Sequence, residues 1–205
     1  MASQVIVLLL AALAFAAFAG GSATDEPKDT DEVAVIETGK GTVIVAFNPE
    51  FAPKHVENFK GLVKEGFYDG TRFHRCIAGF MVQGGDPQSK DMDKARMWGT
   101  GGKMVDGAQR YVKAEFTDFK HTRGVLSMAR SSDPDSASSQ FFIMVKDSPF
   151  LDHKYSAFGH VVKGMEAVDE IVKTGDVNNN GAVKPSEAIE IKSAKLMTWA
   201  EAKKG

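Results

Sequence analysis

The apolar residues of this 205-residue chain fall mostly in short runs closed by Gly, Pro, Asn or Asp, and that punctuation constrains the fold more than any other feature. Val33, Val35 and the run Thr42 to Phe47 flank Gly39-Lys40-Gly41 and read as a hairpin ended by Asn48-Pro49. Phe73 to Ile77 and Met81 to Gln83 flank Ala78-Gly79, and Val125 to Ala129, Phe141 to Val145, Ala157 to Val162 and Ala188 to Met197 follow as further strands. Helical spacing appears twice. Val56, Phe59, Leu62 and Val63 recur between Pro53 and Gly66, and Met165, Val168, Ile171 and Val172 end at Lys173-Thr174-Gly175. About eight strands, mostly successive, predict a mainly β chain. Closing an antiparallel sheet into a barrel removes its exposed edges, so the expected architecture is an eight-stranded closed antiparallel β-barrel capped by two α-helices.

Cys76 is the one cysteine, so no internal disulfide and no multi-cysteine metal site can form, and stability must come from the core. His55, His121, His153 and His160 lack metal-ligand spacing, and no metal or cofactor is expected. With 25 Lys and Arg against 27 acidic residues, no overall basic field points to nucleic acid or an anionic membrane as partner. The Pro87 to Arg110 segment reads as a long irregular loop. Its Gly99-Thr100-Gly101-Gly102 cluster lacks the helix setting and the Lys-Ser/Thr ending of a phosphate loop. Asp176 to Gly181 lacks the acidic spacing of a calcium loop and reads as a turn.

Residues 4 to 19 are almost wholly apolar, too short for a comfortable membrane span, and end in Ala17-Phe18-Ala19. They are expected to be a signal peptide (1–19), cut after Ala19 or Ala23 or retained, directing export to a periplasm, secretory lumen or the exterior. Residues 20–31 are small, polar and acidic and are expected to be a disordered linker; residues 32–198 form the domain and 199–205 a polar tail.

The richest stretch chemically is Phe73 to Asp86. Strand alternation puts Phe73, Arg75 and Ile77 on one face and Met81 with Gln83 on one face of the return strand. An Arg amid apolar neighbours is costly to bury unless paired, so Arg75 is either a solvated surface residue or a functional cation. In Phe141 to Val145, Gln140, Phe142 and Met144 share a face opposite Phe141, Ile143 and Val145. Large apolar groups on both faces predict either a binding groove or a covering helix. His74 and Cys76 superficially resemble a base and nucleophile but have no orienting third group.

Phe73 to Asp86, Gly99 to Gly102, Gly124-Val125-Leu126-Ser127-Met128-Ala129-Arg130, Ser139-Gln140-Phe141-Phe142-Ile143 and Phe158-Gly159-His160-Val161 together strongly resemble the cyclophilins, the peptidyl-prolyl cis-trans isomerases, over about residues 33 to 197. The resemblance implies Arg75 as the catalytic cation, with Gln83 orienting it and Phe142 completing the catalytic set. Phe80, Met81, Phe142 and Leu151 would line the proline pocket. The backbone at Ala129 and Arg130 would hold the peptide extended, and Gln140 would contribute to the groove. Proline-containing polypeptides are the implied partners of a monomer without membrane insertion once the signal is cut. Phe150 and Tyr155 stand where many members carry Trp and His, and Arg130 where Asn is common. Phe lacks the indole N–H donor, so cyclosporin binding is expected to be weak with isomerase activity retained. These departures look most like bacterial exported cyclophilins. The implied function is isomerisation of X-Pro bonds assisting the folding of exported proteins, against the alternative of a proline-peptide-binding chaperone with incidental activity.

Overall fold

The structure, a computed structural model, describes residues 25–205; the expected signal peptide and residues 20–24 lie outside the described residues. Strands β1 (Glu32–Thr38) and β2 (Gly41–Phe47) form the opening hairpin, β3 (Arg75–Ile77) and β4 (Met81–Gly84) the second. A two-stranded ribbon, β5 (Met104–Val105) with β6 (Ala108–Gln109), stands alone in the long loop. β7 (Val125–Met128), β8 (Phe141–Met144), β9 (Ala157–Lys163) and β10 (Ile191–Thr198) complete the main sheet. Its eight strands run β10-β1-β2-β9-β7-β8-β4-β3, antiparallel at every paired edge.

The sheet curls but does not close, which corrects the expected barrel. β3 and β10 are its free ends, joined across the seam by single bridges such as Arg72 to Glu190. The reason lies in β3, only three residues long, whose outer edge is already taken. Cys76 N–H donates to the Gly181 carbonyl at 2.8 Å, and Val183 N–H to the His74 carbonyl at 3.1 Å. The 176–183 turn therefore fills the place a ladder to β10 would need.

Helix α1 (Pro53–Lys64) lies inside the curl, with Val56, Phe59, Leu62 and Val63 buried. The Phe59 ring meets those of Tyr68, Phe141 and Phe158 at 4.9, 5.3 and 5.4 Å. No acidic residue occupies its first turn; Glu115 supplies the cap from 61 residues away, accepting from Lys54 N–H at 3.2 Å and His55 N–H at 3.1 Å. Helix α2 (Met165–Ile171) buries Ala167, Val168 and Ile171 in the same core.

Two boundary expectations change. A short third helix, α3 (Trp199–Ala202), replaces part of the polar tail: Thr198 and Glu201 form a capping box, and Trp199 and Ala202 are buried. Residues 25–31, expected as linker, run against α3. Trp199 N–H donates to the Asp31 carbonyl at 2.8 Å, and the Trp199 indole N–H to Glu26 at 3.2 Å. Phe73 also differs: it precedes β3, where its N–H bonds the Ile189 carbonyl, and it sits in the interior core with Cys76, while Arg75 and Ile77 face outward.

Burial holds the imidazoles of His55, His74, His121 and His160 below their ordinary pKa, with the hydrogen-bonded carboxylates Glu115 and Asp152 opposing this only in part. In the unfolded chain they titrate near about 6.5, so on acidification the unfolded state binds protons first. Stability is therefore expected to fall as pH drops through that range and to level off for these groups below their folded pKa values. Urea midpoints at neutral and mildly acidic pH check this, and equal midpoints would contradict it.

Candidate active site

Strand pairing assembles the site before any side chain is considered. Arg75 lies opposite Gln83 across β3 and β4, Gln83 opposite Phe142 and Met81 opposite Met144 across β4 and β8. Phe150 and Leu151 arrive on the single turn Pro149–Leu151, with Tyr155 just beyond. Met144 aside, these residues line a cavity of about 240 Å³ together with Phe80, Ala129 and Arg130. Gln140 stands next door, in a cavity of about 250 Å³ that shares Gln83, Ala129 and Arg130 with the first. Every site residue named from sequence thus lines one or other of two adjoining cavities.

The floor is apolar and buried: Met81, Phe142 and Leu151 pack with Phe119, Val125, Met144 and Ala157. β8 is buried on both faces, and its outer face is covered by this second cluster of loop and strand residues, neither long helix taking part. Phe142 is held edge-on by Tyr155 at 5.8 Å and stacked by His121 at 6.3 Å. His121 is itself fixed, with Nδ1 3.1 Å from Asp152 and Nε2 3.0 Å from the Ser127 hydroxyl. Phe80 and Phe150 form the rim, rings 5.5 Å apart, Phe150 being 60% exposed.

Arg75 is half-buried beside this floor. Burial draws its pKa below the ordinary guanidinium value, but a guanidinium stays charged in proteins. Its Nε donates to the Asn180 carbonyl at 3.1 Å and its Nη2 to the Asn180 Oδ1 at 2.9 Å. Asn180 presents both acceptors because its backbone is left-handed, φ 50°, ahead of Gly181 at φ 75°. A Cβ on Gly181 would stand 2.5 Å from the Cys76 carbonyl, so the turn requires glycine there.

This corrects the expected partner of Arg75. Gln83 does not orient it through a hydrogen bond; its Nε2 donates to Gln140 Oε1 at 2.9 Å, and Gln140 Nε2 donates to the Gly101 carbonyl at 2.8 Å. Beneath that loop, the buried Asp86 carboxylate accepts from Gly99 N–H at 2.5 Å and Gly101 N–H at 3.2 Å. The glycine cluster rejected as a phosphate loop is thus a buttress for Gln140. At Ala129 the N–H is occupied by the Gln140 carbonyl at 3.0 Å. Arg130 folds over the Tyr155 ring at 4.5 Å and donates to the Lys154 carbonyl at 2.9 Å, which keeps its charge at the groove edge. Cys76 is buried, its thiol pushed up to about 11, so it supplies no thiolate near neutral pH.

Sequence reasoning missed Asn180, His121 and Asp86. For Asn180 a signal existed, since Asn before Gly favours left-handed backbone. Asn180→Ala removes one acceptor and relaxes the other, and is expected to lower kcat about tenfold, with KM and melting temperature little changed. Steady-state kinetics on a prolyl peptide check this, and an unchanged kcat would contradict it.

Residues 33–196 match the family model described as Cyclophilin type peptidyl-prolyl cis-trans isomerase/CLD. The chain is a cyclophilin. A probable peptidyl-prolyl cis-trans isomerase of Brucella abortus is 45% identical over 184 residues, covering 88% of this chain and 91% of the relative. Peptidyl-prolyl cis-trans isomerase A of Dickeya dadantii is 38% identical over 204 residues, covering 96% and 99%. Among solved structures, a Cryptosporidium parvum cyclophilin crystallised in the presence of the dipeptide Ala-Pro superposes with TM-score 0.69 at 31% identity, covering 81% of this chain and 99% of its own. The cyclophilin activity is therefore peptidyl-prolyl cis-trans isomerisation, and the sheet is that of the family.

Proposed function

We propose that this cyclophilin isomerises X-Pro bonds at the Arg75 cavity, and that its clients are exported polypeptides. The observation that carries the site assignment is a guanidinium pinned by Asn180 at the wall of a buried apolar floor. Rotation about the bond faces a barrier of about 18–20 kcal/mol, although cis and trans differ by only about 0.5–1 kcal/mol. In the twisted transition state the imide nitrogen becomes pyramidal and regains its lone pair. A donor aimed at that nitrogen binds the transition state better than the planar ground state.

The roles follow from placement. Met81, Phe142 and Leu151 grip the ring, Phe80, Phe150 and Tyr155 shape the mouth, and Arg75 donates to the nitrogen. Gln83 and Gln140, tied to each other, present amide groups to the peptide backbone beside Ala129 and Arg130. The cavity is complete within one chain, which supports action as a monomer. No nucleophile, metal or cofactor enters the step.

Export rests on the apolar residues 4 to 19 ahead of Gly20-Gly21-Ser22; N-terminal sequencing of the purified protein should find them removed, and an intact Met1 or Ala2 would contradict this. One isomerase assay on an Ala-Pro peptide, with and without cyclosporin, tests the site. Turnover with only weak cyclosporin inhibition is expected, because Phe150 offers no N–H at the rim. Absence of turnover would overturn the isomerase site, and nanomolar inhibition would overturn the reading of Phe150.

A further inference from the structure

Charge is distributed along the groove very differently from the rest of the molecule. The Arg75 cavity adjoins the cavity at Gly99, Thr100 and Gly101, the two sharing Gln83, Ala129 and Arg130 in their linings. Tyr111 lines that second cavity and also a third, of about 400 Å³, between α1 and residues 110–113. Five cations line the run: Arg75, Arg130, Arg110, Lys54 and Lys113. Glu57 is the one carboxylate lining the three cavities. The whole chain, by contrast, carries 25 basic and 27 acidic residues.

These cations are not spent on ion pairs within the fold. Among the described residues Lys54 and Lys113 make no salt bridge, and Arg110 donates to the Asn58 amide oxygen rather than to a carboxylate. Carboxylates on the adjoining segments are turned to backbone N–H groups. Glu115 accepts from the Lys54 and His55 N–H groups and also pairs with the His55 imidazole at 2.7 Å, while Asp135 accepts from Ala114 and Asp133 from Asp135. Tyr111, 57% exposed, offers an apolar face at the junction.

We infer that the groove extends from the proline pocket past Tyr111 to the Lys54–Arg110–Lys113 corner, and that it selects polypeptides carrying acidic side chains on one flank of the proline. The inference rests on the isomerase reading of the Arg75 cavity and adds a substrate class to it. Charge complementarity and the lining residues that each cavity shares with the next are its two supports. An extended flank of about five to eight residues covers roughly 17–28 Å, enough to run along a surface groove. Because the corner is solvent-exposed, its attraction is screened by salt and acts on binding rather than on the rotating bond.

The test uses peptides sharing one Ala-Pro core, with a five-residue flank of Asp and Glu or of Ser and Gln placed before or after it. Their kcat and KM are measured on the full chain by exchange NMR at low and high salt. One placement of the acidic flank is expected to lower KM about fivefold at low salt with kcat unchanged, and the gain should vanish near about 0.5 M salt. In Lys54→Glu/Lys113→Glu the ratio of acidic-flank to neutral-flank KM is expected to return to about one; salt dependence of the unaltered chain gives an arm that needs no variant to fold. Equal KM for acidic and neutral flanks, with both turned over, would overturn the inference alone. A gain that survives high salt or the double substitution would overturn its assignment to these cations. Absence of turnover for every peptide would overturn the isomerase reading and this inference with it.

Discussion

Arg75→Ala is expected to lower kcat/KM for a prolyl peptide by about two to three orders of magnitude, the cost of removing one preorganised donor from a low-polarity site, about 2.7–4 kcal/mol. The loss should fall mainly on kcat, because the pyramidal nitrogen accepts the hydrogen bond only in the transition state, whereas ring binding is left to Met81, Phe142 and Leu151. The fold should be little affected. Arg75 is half-buried on the outward face of a three-residue strand, and its side-chain bonds go to one residue, Asn180, on a surface turn. Arg75→Lys keeps the charge but cannot bond the Asn180 carbonyl and Oδ1 through a fixed fork, so a loss of intermediate size is expected. Steady-state kinetics and a thermal melt measure both effects. Activity within a few-fold of the unaltered chain would remove Arg75 from the mechanism.

Phe142→Ala is expected to act on stability as strongly as Arg75→Ala acts on rate. Phe142 is 5% exposed and joins the floor to Tyr155 and His121. Deleting a buried phenyl ring costs about 3–5 kcal/mol, transfer and cavity terms together. For a domain of this size that corresponds to a melting temperature lower by about 6–20 °C. KM should rise as well if the ring forms part of the proline floor proposed for this cavity. Phe142→Leu fills part of the void and separates the two effects: stability should largely return while KM stays raised, because a branched aliphatic chain does not present a flat face. A melting temperature within a degree or two of the unaltered chain in Phe142→Ala would contradict the buried placement.

Both residues were legible in the sequence, for different reasons. Alternation in Phe141 to Val145 shows two apolar faces, and the structure buries both, one in the interior core and one in the groove floor. Arg75 stands out as a charge among apolar neighbours, and the role proposed for it comes from the resemblance of the motifs around it to cyclophilins. What local pattern could not show is which group would hold it. Gln83 is Arg75's cross-strand neighbour, yet its amide is committed to Gln140, and the true partner lies 105 residues away. The open seam was illegible for the same reason. Short strands with closed edges suggest a barrel, but competition between β10 and the 176–183 turn for one edge of β3 is settled only by packing. The capping box Thr198-Trp199-Ala200-Glu201 was, by contrast, written locally and overlooked in a tail that looked merely polar.

The central claim is that a cation fixed beside an apolar floor speeds rotation about a prolyl bond, and exchange NMR of an Ala-Pro peptide with a catalytic amount of the chain tests it most directly. Uncatalysed exchange takes tens to hundreds of seconds at 25 °C, too slow to give cross-peaks within a sub-second mixing time. Strong cis–trans cross-peaks are expected with the unaltered chain, reduced by about two orders of magnitude in rate with Arg75→Ala. A peptide that binds the chain, as shown by shifted resonances, yet gives no exchange cross-peaks would contradict the account and leave the chain a binder of proline segments.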